Sequence, residues 1–308
     1  MPLHPDIERL LRTLPPSDAT PPDPAAVRAA EQQHLPPQEE RLPLHAVEDA
    51  VVEASTGEIP VRIYTPVEAE SYGLLIYFHG GAFFSGSIET HDGVARALAA
   101  ETGCRVISVG YRLAPDAPYP AGLDDCYAVL RWAAERGDAL RWDGDVLAVA
   151  GDSSGGTFAA AVAGRARDDG FDGITQQILF YPSLDLDFDV ERYASLRENA
   201  RGYGLETAGL KPWNSFYLDS GADPADPLVS PIKRADLGGL PPALIVTAEY
   251  DPLRDEAELY GERLREAGVP VTVSRYDGAG HGFAQHFSWI PEYYAAFREA
   301  GRFVRGRS

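Results

Sequence analysis

Apolar and polar positions change rhythm twice along this chain. Near its start, Ile7, Leu10, Leu11 and Leu14 recur at i, i+3, i+4 and i+7, the spacing of one helix face. Pro15, Pro16, Pro21, Pro22 and Pro24 break that face before a second, more polar helix predicted over 24–34. Neither segment can form a core alone, so both must pack on something else. From about residue 46 the pattern becomes that of strands. Residues 47–54 and 59–65 predict an antiparallel pair joined by a turn near Thr56–Gly57. Six short apolar runs follow: Leu74–Phe78, Val106–Val109, Val146–Ala150, Ile178–Tyr181, Ala243–Thr247 and Val271–Tyr276. Runs of this length suit strands covered on both faces, as in a parallel sheet. Helical spacing occupies 90–102, 122–136, 154–168 and 255–267, the last closed by Gly268, and returns over 291–305.

This alternation predicts an α/β fold: a mostly parallel eight-stranded sheet with helices on both faces. One region departs from it. Roughly sixty residues separate Tyr181 from Ala243, too many for a structureless loop in a compact domain. They include a helical stretch with Trp213, Phe216, Tyr217 and Leu218, read as an inserted element on which the N-terminal helices could pack. The expected organisation is an N-terminal helical cap segment (1–45), a first part of the core (46–185), inserted cap helices (186–220) and a second part of the core (221–308).

Composition narrows the function. With 308 residues, folding can bury roughly 75% of the unfolded chain's surface, so the core needs no disulfides. Cys104 and Cys126 have no metal or redox spacing and read as small core residues. The formal charge is 27 − 47 = −20, which repels phosphate backbones and argues against a nucleic-acid partner. No run approaches 18 consecutive apolar residues, so no membrane span is expected. The first residues carry acidic side chains and no long apolar stretch, unlike a secretory signal, and a cytoplasmic location is the default expectation.

Three signals carry chemistry. Gly151-Asp152-Ser153-Ser154-Gly155-Gly156 contains G-x-S-x-G between a predicted strand and a predicted helix. A nucleophile elbow needs that context: the turn strains and exposes the serine, and glycines let strand and helix approach. The helix N-terminus also directs positive dipole to where negative charge will develop. Second, His79-Gly80-Gly81-Ala82-Phe83 follows the strand at 74–78, where backbone N–H groups of Gly80, Gly81 and Ala82, with that of Ser154, can form an oxyanion hole. His79 precedes the serine and is expected to hold this loop. Third, Asp251 follows one strand and His281 the next. The order Ser153, Asp251, His281 is the order of α/β-hydrolase triads, each member just past the carboxyl end of a strand. Asp255, Glu249 and Asp277 are rival acids and His286 is a rival base. A Gly-Asp-Ser-Gly-Gly motif also marks chymotrypsin-like proteases, but their order is His, Asp, Ser on an all-β fold.

With these motifs, and Tyr111-Arg112-Leu113-Ala114-Pro115 between the first two, the chain over about 45–308 resembles the bacterial hormone-sensitive-lipase-like carboxylesterases of the α/β-hydrolase superfamily. The family commonly has a third glycine where this chain has Ala82, and alanine where it has Ser154. The resemblance implies hydrolysis of short- to medium-chain acyl esters, a helical cap, no cofactor and no metal. Its partners would then be a small acyl ester and water; family members often pair through the last strand, which allows a homodimer. Phe83, Phe84, Phe283 and His286 are candidate substrate contacts, or alternatively packing and rim residues.

The expected chemistry is two-step acyl transfer, with His281 as base to Ser153 and Asp251 fixing the imidazole. Activity is then expected to fall as the pH drops through imidazole protonation, about 6.5 for the free side chain. A rate profile flat from acid to neutral pH would contradict a histidine base. The same triad also serves amidases, formamidases and peptidases. A non-catalytic ligand-binding relative would lack the histidine that stands here at 281.

Overall fold

The structure is a computed structural model that describes residues 2–12, 20–33, 35 and 37–306. Leu14, Pro15 and Pro16 of the N-terminal pattern lie outside the described residues. The chain begins with helices α1 (Pro5–Leu11) and α2 (Pro24–Gln33), followed by the hairpin β1 (Ala46–Ala54) and β2 (Gly57–Thr65). Then strand and helix alternate: β3 (Tyr72–Phe78), α3 (Asp92–Thr102), β4 (Arg105–Val109), α4 (Ala121–Glu135), β5 (Trp142–Asp152), α5 (Ser154–Asp168) and β6 (Gln176–Phe180). The interruption holds α6 (Ser195–Glu198) and α7 (Thr207–Leu218). The chain then resumes with β7 (Ala243–Tyr250), α8 (Arg254–Glu266), β8 (Val271–Gly280), the short α9 (Phe283–His286) and α10 (Pro291–Val304).

The strands form one eight-stranded sheet in the order β1-β2-β4-β3-β5-β6-β7-β8. β1 and β2 are antiparallel to each other and β2 to β4, and every later pairing is parallel. Successive side chains of a strand face opposite sides, which explains why β3 is apolar throughout. Leu74, Ile76 and Phe78 enter one core, with Leu123 and Val129 of α4, Phe158 of α5 and Tyr260 of α8. Leu75 and Tyr77 enter the other, with Val94 and Leu98 of α3 and Phe297 and Val304 of α10. Both faces being covered, no polar alternation is available to the central strands.

Strands β7 and β8 run further than their apolar runs predict. Beyond Ala248↔Tyr276 the register shifts and pairing resumes at Tyr250↔Gly280. The extension is made of polar residues and glycines held by the ladder rather than by burial, so hydrophobic pattern cannot reveal it. Such irregularities often redirect side chains beside active sites. Here the next residues are Asp251 and His281.

Close packing at the end of β5 rests on Gly155. A Cβ there would sit 2.0 Å from the Phe78 carbonyl oxygen and 2.6 Å from that of His79. Both obstacles are backbone, so neither can swing aside. Gly155→Ala is expected to destabilise the fold by at least about 2 kcal/mol, which a fall in melting temperature would register; an unchanged melt would mean that α5 and β3 are less closely apposed.

The N-terminal helices divide their contacts. In α1, Ile7 is buried in the second core while Leu10 stays 43% exposed, so the buried face is narrower than the pattern predicts. The His4 N–H before α1 donates to Gly278 O, tying this helix to the end of β8. From α2, Arg28 donates to the carbonyls of Phe84 and Ala114 and pairs with Asp116, and Glu31 accepts the Gly86 N–H. That helix therefore braces the loops that follow β3 and β4. No helix among the described residues is long and apolar enough to cross a membrane.

Candidate active site

Parallel register brings the carboxyl ends of β5, β7 and β8 to one edge of the sheet. Asp152 pairs with Phe180, and the next residue, Ser153, turns sharply at φ 52°, ψ −121°. This is a conformation non-glycine residues rarely adopt. It is held by the Ser153 N–H donating to Phe180 O and by the Ser153 carbonyl accepting from Gly156 and Thr157 in the first turn of α5. The Ser153 Oγ lies 2.9 Å from His281 Nε2, and His281 Nδ1 lies 2.8 Å from Asp251 Oδ2. Asp251 is buried, and its other oxygen accepts the Leu253 N–H at 2.8 Å. An ionised carboxylate only accepts, so Nδ1 carries the proton and Nε2 is left to accept from the serine hydroxyl. Tyr181 packs its ring edge-to-face on His281 with centroids 5.0 Å apart, and Asn199 donates to the Asp251 carbonyl at 3.0 Å.

The loop after β3 supplies free donors. Gly81 has φ +122°, and a Cβ there would meet Ser85 O at 2.2 Å, so only glycine fits. Ala82 and Phe83 continue at φ 49° and 65°. Among the described residues nothing accepts the N–H of Gly81, Ala82 or Ser154, and Ser154 is the first residue of α5, where orphan donors are expected. Gly80 is different: its N–H donates to Asp152 Oδ1 at 3.0 Å. Its expected place among the oxyanion donors is therefore corrected, because this donor is already used to fasten the loop to the elbow. Asp152 also accepts from the Tyr77 hydroxyl and lies 3.5 Å from His91 Nε2. Against the upward push of burial, these neighbours and His79 hold its carboxyl below the ordinary value.

His79 does hold the loop. Its Nδ1 lies 2.7 Å from Gly80 O, its ring stacks on Tyr111 at 4.2 Å, and the Tyr111 hydroxyl donates to His79 O at 2.6 Å. Burial, with His91 beside it, pushes the His79 imidazole down to about 3, so it is neutral across the working range of pH. The Ser154 hydroxyl has a partner that the sequence did not indicate: it accepts the Phe83 N–H at 3.3 Å, a second tie between elbow and loop.

A family profile described as the alpha/beta hydrolase fold matches residues 75–285. This chain belongs to that family. It is 39% identical over 308 residues to the carboxylesterase NlhH of Mycobacterium tuberculosis, covering 97% of this chain and 94% of the relative. It is also 39% identical over 246 residues to an arylesterase of Saccharolobus solfataricus, covering 78% of each. The solved structure of an esterase from Pyrobaculum calidifontis superposes with a TM-score of 0.90 at 36% identity over 99% of both chains. As a member of the hormone-sensitive-lipase-like carboxylesterases within this fold, the chain is a carboxylic ester hydrolase.

The rival side chains are engaged elsewhere or face solvent. Asp255 accepts the Ser195 N–H and pairs with Arg254, Glu249 accepts the Gly278 N–H at 2.7 Å, and Asp277 is exposed. His286 is also exposed. None of the four candidate substrate contacts lines the small cavity of about 30 Å³ at Ser153. Phe83 stacks on Tyr217 at 4.0 Å and Phe84 packs against Trp213 and Phe216, so these two clamp α7 onto the loop after β3. Phe283 is buried in the second core between Tyr276, Tyr181 and Tyr293. Besides Ala82, Ser153 and Ser154, the cavity is lined by Leu253, Ser183 and five residues at or on α7: Leu205, Gly209, Leu210, Trp213 and Asn214. Spacing along α7 could have indicated its contribution, since Leu210, Trp213 and Asn214 stand at i, i+3 and i+4.

Proposed function

We propose that this ester hydrolase works through a serine nucleophile and an acyl-enzyme. Ser153 Oγ attacks the ester carbonyl carbon while His281 Nε2 takes the hydroxyl proton, and Asp251 holds the imidazole and stabilises the imidazolium. The backbone N–H groups of Gly81, Ala82 and Ser154 receive the oxyanion. His281 then protonates the departing alcohol. Water, deprotonated by the same imidazole, attacks the acyl-enzyme and frees the acid. The observation that carries this reading is the unbroken chain of contacts from Ser153 Oγ through both nitrogens of His281 to Asp251, at 2.9 and 2.8 Å.

The described residues of 1–45, together with 186–220, form the cap in this proposal, with α7 as its floor over the nucleophile. Within the short- to medium-chain range, a cavity of about 30 Å³ favours the short end. A series of p-nitrophenyl esters from acetate to decanoate, on wild type and Ser153→Ala, tests both points. The expected kcat/KM is greatest from acetate to butyrate and more than about tenfold lower for decanoate, with Ser153→Ala inactive on all. An optimum at decanoate would refute the short pocket. Undiminished turnover by Ser153→Ala would refute the mechanism.

A further inference from the structure

We infer that Asn214 makes this enzyme select esters whose short acyl group carries a hydroxyl on the carbon next to the carbonyl, with Asn214 Oδ1 accepting that hydroxyl's hydrogen bond. The inference rests on the serine-esterase reading above and specifies its substrate class.

Asn214 stands on the apolar face of α7, between Leu210 and Tyr217, and is only 5% exposed. Its amide orientation is fixed by chemistry: Nδ2 donates at 2.7 Å to Leu210 O, and a carbonyl can only accept. Oδ1 is thereby turned away from the helix backbone, and among the described residues nothing donates to it. Asparagine is a poor helix former, and its Oδ1, though without a protein donor, is not sealed in the core. A leucine here would pack with Leu210 and Trp213 at no such cost. Stability therefore gives no reason for an amide at this place, whereas a ligand in the cavity does.

The geometry limits what the ligand can be. The leaving oxygen must lie beside His281 Nε2 to receive its proton, and His281 does not line the cavity that Asn214 lines. Ala82 and Ser154, whose N–H groups receive the oxyanion, do line it, so the acyl side is placed there. At about 30 Å³ it holds a short acyl group, so a donor that reaches Asn214 sits close to the carbonyl, and the adjoining carbon is the nearest position for it. No charged side chain lines it among the described residues, and an ammonium group would lose its hydration there with no counter-charge. A neutral hydroxyl fits. Ser183 lines the same cavity, and its hydroxyl has no hydrogen-bond partner among the described residues, which adds a second polar group to an otherwise apolar wall.

Glycolate and propionate esters of one phenol are nearly isosteric and test the inference. For wild type, the ratio of kcat/KM for glycolate over propionate, each divided by its rate of hydroxide hydrolysis, is expected to exceed about ten. In Asn214→Leu it is expected to fall to near one, with Asn214→Ala as a second variant and a melting curve confirming that each is folded. A corrected wild-type ratio near one overturns the inference without any variant. So does a ratio undiminished in either folded variant, or a preference for the glycine ester over the glycolate. If Ser153→Ala turns over both esters like wild type, the esterase mechanism itself has failed. If Ser153→Ala is inactive and the wild-type ratio is near one, only the role of Asn214 falls.

Discussion

Ser153→Ala is expected to lower kcat on an activated ester by about a millionfold while leaving the fold intact. When members of a triad act as one unit, losing the nucleophile alone costs about as much as losing all of them. The fold survives because the elbow is held through backbone groups, the Ser153 N–H on Phe180 O and its carbonyl on Gly156 and Thr157. Alanine keeps both. The residual rate then comes from the oxyanion donors and binding, about a thousandfold or more above the uncatalysed reaction. Steady-state kinetics with a parallel melting curve measure this, and a residual activity above about one per cent of wild type would contradict the assignment of the nucleophile.

Asp251→Asn is expected to reduce kcat by about ten-thousandfold, and the local hydrogen bonds explain why. One Asp251 oxygen accepts the Leu253 N–H and the other faces His281 Nδ1. An asparagine must keep its carbonyl oxygen toward the Leu253 N–H, because two donors cannot face each other. Its amide then donates to His281 Nδ1, the imidazole proton moves to Nε2, and Nε2 no longer accepts from Ser153. KM is expected to change little, since no substrate contact is lost. A loss of less than tenfold in kcat would mean that another acid orients the histidine.

The sheet could be read from the sequence because its physical cause is local. Two-face burial makes β3 and its neighbours uniformly apolar, and helices with one buried face carry the complementary spacing. Ser153, Asp251 and His281 could be named from motif and chain order, each a few residues past an apolar run; that the strands themselves extend to Asp152, Tyr250 and Gly280 could not be read. What else could not be read depends on directions rather than positions. The Gly80 N–H is taken by Asp152, and the Ser154 hydroxyl by Phe83 N–H, because of backbone turns that residue types do not dictate. Phe283 looks like a pocket residue beside His281, yet the left-handed Gly282 before α9 sends it into the core. Nothing in the sequence singles out Asn214; only its bond to Leu210 O shows which way its oxygen faces.

The claim on which all of this depends is that Ser153 becomes a nucleophile only through His281. Intact-mass and peptide analysis after treatment with diisopropyl fluorophosphate examines that most directly. The expected result is a single phosphoryl adduct on the peptide containing Ser153, formed in step with loss of activity and absent from Ser153→Ala and from His281→Ala. An adduct on another residue that accompanies inactivation, or modification of Ser153 at an undiminished rate in His281→Ala, would contradict it.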